Sequence, residues 1–297
     1  MTILALEIGT TDFAVSPVRD DVDVAEIRRA PLPRTAPWDV CRDLLLEVAG
    51  GAEVSALGIA CGGAIDMAAG MIAPSGIPSW RAGFGVVEAA RVLFPQASVQ
   101  LGSDGLCLAL AERTFGATAG CTDSLALRVS DTITGGITIG GFVLVGRTGN
   151  AGNFGHLLIP GFDESCDCGG RGCLAAVASG ASASRWARER GWHGDGVADL
   201  INAADVGNGV AIEALSRAGT ALGRAIASAA ALLDVELVAL GGTLPQAGGV
   251  LWKPLRAAVV EHAKQLYLPS LRVVSSEVGE IGVIAGAGVL ALSLARG

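Results

Sequence analysis

Apolar and polar positions along the chain fall into two kinds of segment, and each kind occurs twice. In "LALEIGTT" (4–11) and "LALRVSDT" (125–132) an alternating apolar run reaches a small-residue turn; a second apolar run follows, "FAVSPV" or "GGITIGGFVLV". Each predicts a hairpin of strand, tight turn and strand. The other pair, "VSALGIACGG" (54–63) and "VELVALGG" (235–242), predicts buried strands that end at a Gly-Gly turn. Before them, "WDVCRDLLLEVA" and "GTALGRAIASAAALLD" carry apolar residues at three-and-four spacing and predict helices. Further helices are predicted at 103–115, 173–190 and 250–265. Ser103 is an N-cap for "DGLCLALAERTF" and Gly116 a stop after it. Asp104 then lies in a first turn, where the helix dipole favours an ionised carboxylate.

Two pairs in the same order imply two related α/β halves, each with a hairpin and a strand–Gly-Gly turn. Glycine-type hairpins that face one another would form a clamp of backbone N–H groups suited to phosphates. A length of 297 residues exceeds what one core usually serves, so two domains are expected. With 51% hydrophobic and 17% charged residues, a large core can be buried and disorder is excluded. The net charge is −8 and no basic run appears, which disfavours nucleic acid as a partner. "MTILALEIGT" has no basic leader and carries Glu7 in its apolar run, so it does not read as a signal peptide. Asp234 and Glu236 interrupt one long apolar stretch, and "IGVIAGAGVLALSLARG" is too short to span a bilayer comfortably. Buried elements, no membrane association and a cytoplasmic location are expected.

Seven cysteines without a secretory signal argue against a disulfide framework. Cys41, Cys61, Cys107 and Cys121 stand singly in apolar surroundings and read as small core residues. The other three follow His156 at gaps of ten, two and five: Cys166, Cys168 and Cys173. This Cys₃His set suits tetrahedral zinc, and four protein ligands leave no open position, so the metal is structural. Gly169, Gly170 and Gly172 allow the tight wrapping of so short a loop. A zinc-ribbon nucleic-acid module would need basic residues and a second cysteine pair, which the chain lacks.

"GNAGNFGHLLI" followed by "CDCGGRGCLAAVAS" resembles the zinc-binding segment of the ROK family of sugar kinases and related repressors. Other segments resemble that family's motifs in order. They are "LEIGTTDFAV" for the first phosphate hairpin, "LGIACGGAID" and "APSGIPSW" for the sugar side, and "LGSDGLCLALAE" for the segment with the catalytic aspartate. "VSDTITGGI" stands at the second phosphate loop and "ALGGTL" at the adenosine-side turn. The resemblance implies an actin-like ATPase (ribonuclease H-like) α/β fold of two domains with a cleft between them. The smaller domain would be 1–115 plus about 280–297, and the larger, with the zinc loop, 116–279. It also implies ATP, Mg²⁺ and structural Zn²⁺, a small-molecule sugar as substrate, and a homo-oligomer (dimer or tetramer). Repressor members carry an N-terminal helix-turn-helix region, whereas this chain begins at the first hairpin, which favours the kinase branch.

By the same resemblance Asp104 is the general base. Glu7, Gly9, Thr10, Thr11, Ser130, Asp131, Thr132, Gly135, Gly241 and Gly242 would face the nucleotide. Gly63, Ser75, Ser103, Asp104, Asn153 and His156 would face the sugar, with His156, Cys166, Cys168 and Cys173 on the metal. The chain departs from the family pattern at several of these positions. Thr10 replaces a glycine, Asp12 a lysine, and "SDT" (130–132) the usual Gly-Thr-Gly; Asn153 and Ala175 stand where two sugar-binding acids are usual. Two expectations follow: a kinase for a hexose or an amino or deoxy sugar, or a degenerate member that binds a sugar or nucleotide as a sensor or interaction protein.

Overall fold

In the computed structural model, which describes residues 2–295, the chain divides into two compact units. Unit 1 comprises Met1–Phe115, Val143–Gly152 and Ile281–Gly297; unit 2 comprises Gly116–Phe142 and Asn153–Glu280. The chain starts with β1 (Thr2–Ile8), β2 (Asp12–Val18), β3 (Arg28–Pro31), α1 (Pro37–Ala49) and β4 (Val54–Cys61). Next come β5 (Ala64–Asp66), β6 (Met71–Ala73), α2 (Val86–Leu93), β7 (Ser98–Ser103) and α3 (Asp104–Phe115). Then follow β8 (Ser124–Val129), β9 (Ile133–Ile139), β10 (Phe142–Val143), α4 (Leu174–Ala178), α5 (Gly180–Arg188), α6 (Gly196–Asp205) and α7 (Gly209–Leu233). The last elements are β11 (Leu237–Gly241), α8 (Gly249–His262), β12 (Arg272–Ser275) and α9 (Gly282–Ala295), which returns the chain to unit 1.

The two main sheets repeat one topology. Unit 1 has the order β3-β2-β1-β4-β7, with β1 antiparallel to β2 and parallel to β4, and β4 parallel to β7. The second sheet has the order β10-β9-β8-β11-β12, with β8 antiparallel to β9 and parallel to β11, and β11 parallel to β12. Both predicted hairpins and both predicted Gly-Gly strands therefore occupy equivalent places, β1 with β8 and β4 with β11. Each unit has its own apolar core.

Sequence explains why several helices sit where they do. Ser103 Oγ accepts the Leu106 N–H at 3.2 Å, so it caps α3. The predicted helix over 219–234 begins earlier, because Asn208 Oδ1 accepts the Ala211 N–H at 3.1 Å and starts α7 at Gly209. Along α7, Gly219 and Gly223 let α8 come close: a Cβ there would meet Leu251 O at 2.4 Å and Leu255 O at 2.3 Å. The helix expected over 173–190 is instead two, α4 and α5. Ser179 between them is extended (φ −70°, ψ 154°) and caps α5 through the Ser182 N–H, while the Gly180 N–H donates to Ser130 O at 2.7 Å. The predicted domain boundary also needs correction, since Val143–Gly152 belongs to unit 1. Asn150 ties that segment to β5: Oδ1 accepts the Ile65 N–H at 3.1 Å, and Nδ2 donates to Ile65 O at 2.7 Å. Among the described residues, no helix is long and apolar enough to cross a membrane.

The C-terminal apolar stretch is α9, packed on β1, β4, β7 and α3. Its approach depends on missing side chains: a Cβ on Gly286 would lie 1.7 Å from Cys107 O, and one on Gly58 would lie 2.0 Å from Ala287 O. Gly286→Ala is expected to destabilise the protein by about 1–3 kcal/mol or more through overpacking. Gly209→Ala, at a helix start with nothing within 4 Å of the added carbon, should leave stability unchanged or slightly raised. Urea unfolding of the two variants checks the contrast.

Candidate functional site

In unit 1 the parallel pairing Ile8–Cys61 and Cys61–Ser103 brings the carboxyl ends of β1, β4 and β7 into line. Ligands of α/β sheets bind outside such an edge. Three loops meet there. A Cβ on Gly62 would lie 3.3 Å from Asp104 Oδ2; one on Gly63, at φ +106°, would lie 3.0 Å from Pro74 Cα and 3.5 Å from Ser75 N. One on Gly76 would lie 2.8 Å from Thr10 O. Asp104, Gly63, Ser75 and the Gly9–Thr10–Thr11 turn are thus gathered at one edge, with Ser103 buried beneath as the cap.

Asp104 is half-buried, and its Oδ1 accepts the Gly105 N–H at 2.8 Å. Glu7 is buried on β1. Beneath the edge, burial first, then Asp104 and Glu7, raise the Cys107 thiol well above the ordinary range, so both carboxylates act on one buried sulfur. Burial, followed by the charge of Asp104, likewise pushes the Cys61 thiol up. Asp12, at the position of the family lysine, is the partner of a cation. Arg29 Nη1 on β3 donates to Asp12 Oδ2 at 2.8 Å, and the Gly9 N–H donates to Asp12 O at 3.0 Å, closing the turn.

Unit 2 has a matching edge at the ends of β8 and β11. Ser130 is its organiser: its N–H donates to Thr132 O at 3.0 Å, and its Oγ accepts the Thr243 N–H at 3.1 Å and the Thr243 hydroxyl at 3.3 Å. Gly242, at φ +97°, lies against Val129, whose O would be 2.5 Å from a Cβ there. The predicted Ser130, Thr132, Gly241 and Gly242 therefore adjoin one another; Asp131 is exposed at the tip, and Gly135 sits in β9 opposite Leu127. Thr243 was missed in the sequence; its signal was a hydroxyl residue directly after the Gly-Gly turn.

From the start of β9 the same unit leads to the loop of His156, Cys166, Cys168 and Cys173. A Cβ on Gly155 would lie 3.2 Å from Ile133 O, 3.4 Å from Ala175 Cβ and 3.8 Å from Asn153 Oδ1. The two positions lacking the usual acids, Asn153 and Ala175, are thus neighbours. One ligand atom from each of His156, Cys166, Cys168 and Cys173 falls in a group within 4.8 Å. Cys168 Sγ is 3.8 Å from Cys173 Sγ, and Cys166 Sγ is 3.8 Å from His156 Nδ1. A tetrahedron with bonds of about 2.3 Å has edges of about 3.8 Å, so these four residues fit a thiolate–imidazole metal centre. The loop is wound by the Gly169 N–H donating to Cys166 O and the Cys166 N–H to Gly170 O, both at 2.9 Å. Burial pushes the Cys173 thiol up to about 12, while the Gly170 N–H holds Cys168 below the usual thiol range.

The profile of the ROK family matches residues 3–293. The chain belongs to the ROK family. The glucokinase of Thermotoga maritima is 31% identical over 306 residues, covering 97% of this chain and 96% of its own. The DNA-binding transcriptional dual regulator NagC of Escherichia coli is 31% identical over 203 residues, 65% of this chain and 50% of its own. A ROK hexokinase structure from Thermus thermophilus superposes with a TM-score of 0.85 at 28% identity, covering 100% of both chains. This ROK protein accordingly has the actin-like ATPase two-domain fold, and its duplicated sheets are the two halves of that fold.

Thiol chemistry checks the two cysteine classes. In folded, chelator-treated protein at about pH 8, iodoacetamide should alkylate Cys168 first, because the thiolate is the nucleophile. Cys41, pushed up to about 12 by burial, should react only after unfolding, as should Cys61 and Cys107. Peptide mass spectrometry reads the order.

Proposed function

We propose that this ROK protein is an ATP-dependent sugar kinase that transfers the γ-phosphate to a hydroxyl of a hexose or of an amino or deoxy sugar. The observation that carries the reading is Asp104, half-buried beside Gly62 at the carboxyl edge of β1, β4 and β7. Similarity to a glucokinase over nearly the full length of both proteins supports it. Phosphoryl transfer asks mainly for positioning and for a group that accepts the attacking hydroxyl's proton. In this reading Asp104 orients the sugar hydroxyl and takes its proton. Ser103 and the start of α3 hold the carboxylate, and Gly63 and Ser75 border the sugar. The nucleotide enters as its Mg²⁺ complex, and the family resemblance assigns to it Glu7 and the 9–11 turn of unit 1 and Ser130, Thr132, Gly241 and Gly242 of unit 2. Arg29 neutralises Asp12, which removes one negative charge from the phosphate side.

His156, Cys166, Cys168 and Cys173 would hold a zinc ion, which supplies a structural cross-link and no open coordination position. Held in this way, the 153–156 turn and α4 present Asn153 and Ala175 to the sugar. Asn153 offers an uncharged amide and Ala175 no polar atom. The pocket would therefore lack two charge-assisted hydrogen bonds, each worth about 1.5–3 kcal/mol. That loss favours a sugar bearing a less polar substituent on this side over plain glucose. It is also the observation that favours the second reading, a binding protein without turnover.

An ADP-release assay over a panel of hexoses and amino and deoxy sugars separates the readings. Turnover on at least one sugar is expected, and Asp104→Asn should lower it by about 10²–10⁴-fold while nucleotide binding persists. Wild-type rates in that variant would remove Asp104 from the role of base. Nucleotide or sugar binding with no turnover on any sugar would establish the non-catalytic reading. Elemental analysis should find zinc at about one ion per chain, the stoichiometry of a single four-ligand site.

A further inference from the structure

The metal loop is docked on α7 by two arginines seven residues apart, hence on one helix face. Arg217 Nη2 donates to Glu164 Oε1 in a close ion pair, and Nη1 donates to Val177 O on α4 at 3.4 Å. Its guanidinium carbon lies 4.8 Å from the centre of the Phe162 ring and 5.5 Å from that of Trp186. Arg224 Nη1 donates to Pro160 O at 3.1 Å, and its guanidinium carbon is 5.8 Å from the same Phe162 ring. Glu164 stands two residues before the ligand Cys166. Its carbonyl accepts the N–H of Gly172, the neighbour of the ligand Cys173, at 2.9 Å. A Cβ on Gly172 would lie 2.6 Å from Phe162 O, so the two arms of the loop are pressed together where Arg217 grips them.

We propose that Arg217 is a positioning residue for the metal loop. By fixing Glu164 and Phe162 it sets the separation of the arms bearing Cys166 and Cys173, and through Val177 it ties α4 to the same point. Charge is the second half of the argument. Three thiolates and a neutral imidazole around a divalent ion leave one net negative charge, to which Glu164 adds another. Glu164 Oε2 is buried without a hydrogen-bond partner among the described residues, so without Arg217 its carboxylate would stand uncompensated two residues from the ligand Cys166. Lysine supplies the charge but neither the planar fork nor the stacking on Phe162. The proposal rests on the zinc reading given above.

The test is the rate at which the zinc-loaded protein gives up metal to excess 4-(2-pyridylazo)resorcinol, read beside the KM for sugar and for ATP. Arg217→Ala should release zinc about 10–100-fold faster, the range for outer-shell partners of a metal site. It should also raise the sugar KM with little change in the ATP KM, and Arg217→Lys should fall between Ala and wild type. Phe162→Leu removes the ring on which Arg217 stacks and keeps every charge, and should release zinc faster than wild type; its rate decides the matter should Arg217→Ala not fold. Release at the wild-type rate in the folded variants overturns the positioning role. Wild-type protein that carries no zinc overturns the metal reading itself, and this proposal with it.

Discussion

In unit 1 the candidate site hangs on the parallel pairing of β1, β4 and β7. Parallel strands end on the same side, so the turns after Ile8, Cys61 and Ser103 must share one edge of the sheet. Thr10, Gly63 and Asp104 are far apart along the chain, and this shared edge is what brings them together. The same logic, repeated with β8 and β11, brings Ser130 to the Gly241–Gly242 turn. Ser130 then converts strand pairing into loop geometry through its hydrogen bonds to Thr132, Thr243 and Gly180.

Small residues allow that framework to close. Gly58 and Gly286 let α9 reach β4 and α3, and Gly219 and Gly223 let α8 reach α7. Buried alanines fill much of the rest of α7, so on the face that carries Gly219 and Gly223 its backbone comes close to that of α8. Charge is handled locally. Asp12 has Arg29, Glu164 has Arg217, and the Cys61 and Cys107 thiols near Asp104 are pushed up by burial first and then by its charge.

Short-range features could be read from the sequence, and long-range ones could not. The hairpins and Gly-Gly strands follow from alternation over eight or ten residues, and the metal quartet from spacing within one loop. Ser103 and Asp104 were readable because capping is decided within a single turn. The break at Ser179 was not, because it depends on Ser130 O taking the Gly180 N–H from another part of the chain. Nor was the placement of Val143–Gly152, which hangs on an asparagine bonded to backbone 85 residues away. Arg29 meets Asp12 across 17 residues and Arg217 meets Glu164 across 53, so neither pairing leaves a local pattern. Spacing alone leaves open the roles of Asp104 and of the 9–11 and 130–132 turns; those proposed for them come from the resemblance to the ROK family.

One consequence of the split units concerns order in time. Unit 2 is interrupted only by Val143–Gly152, whereas unit 1 lacks α9 until residues 282–295 have been made. In chain order the element that covers β4 and α3 comes after the whole of unit 2. Gly58 and Gly286 mark the seam that closes last. A chain cut before residue 282 would lack the helix that covers β4 and α3 and leave their apolar faces open.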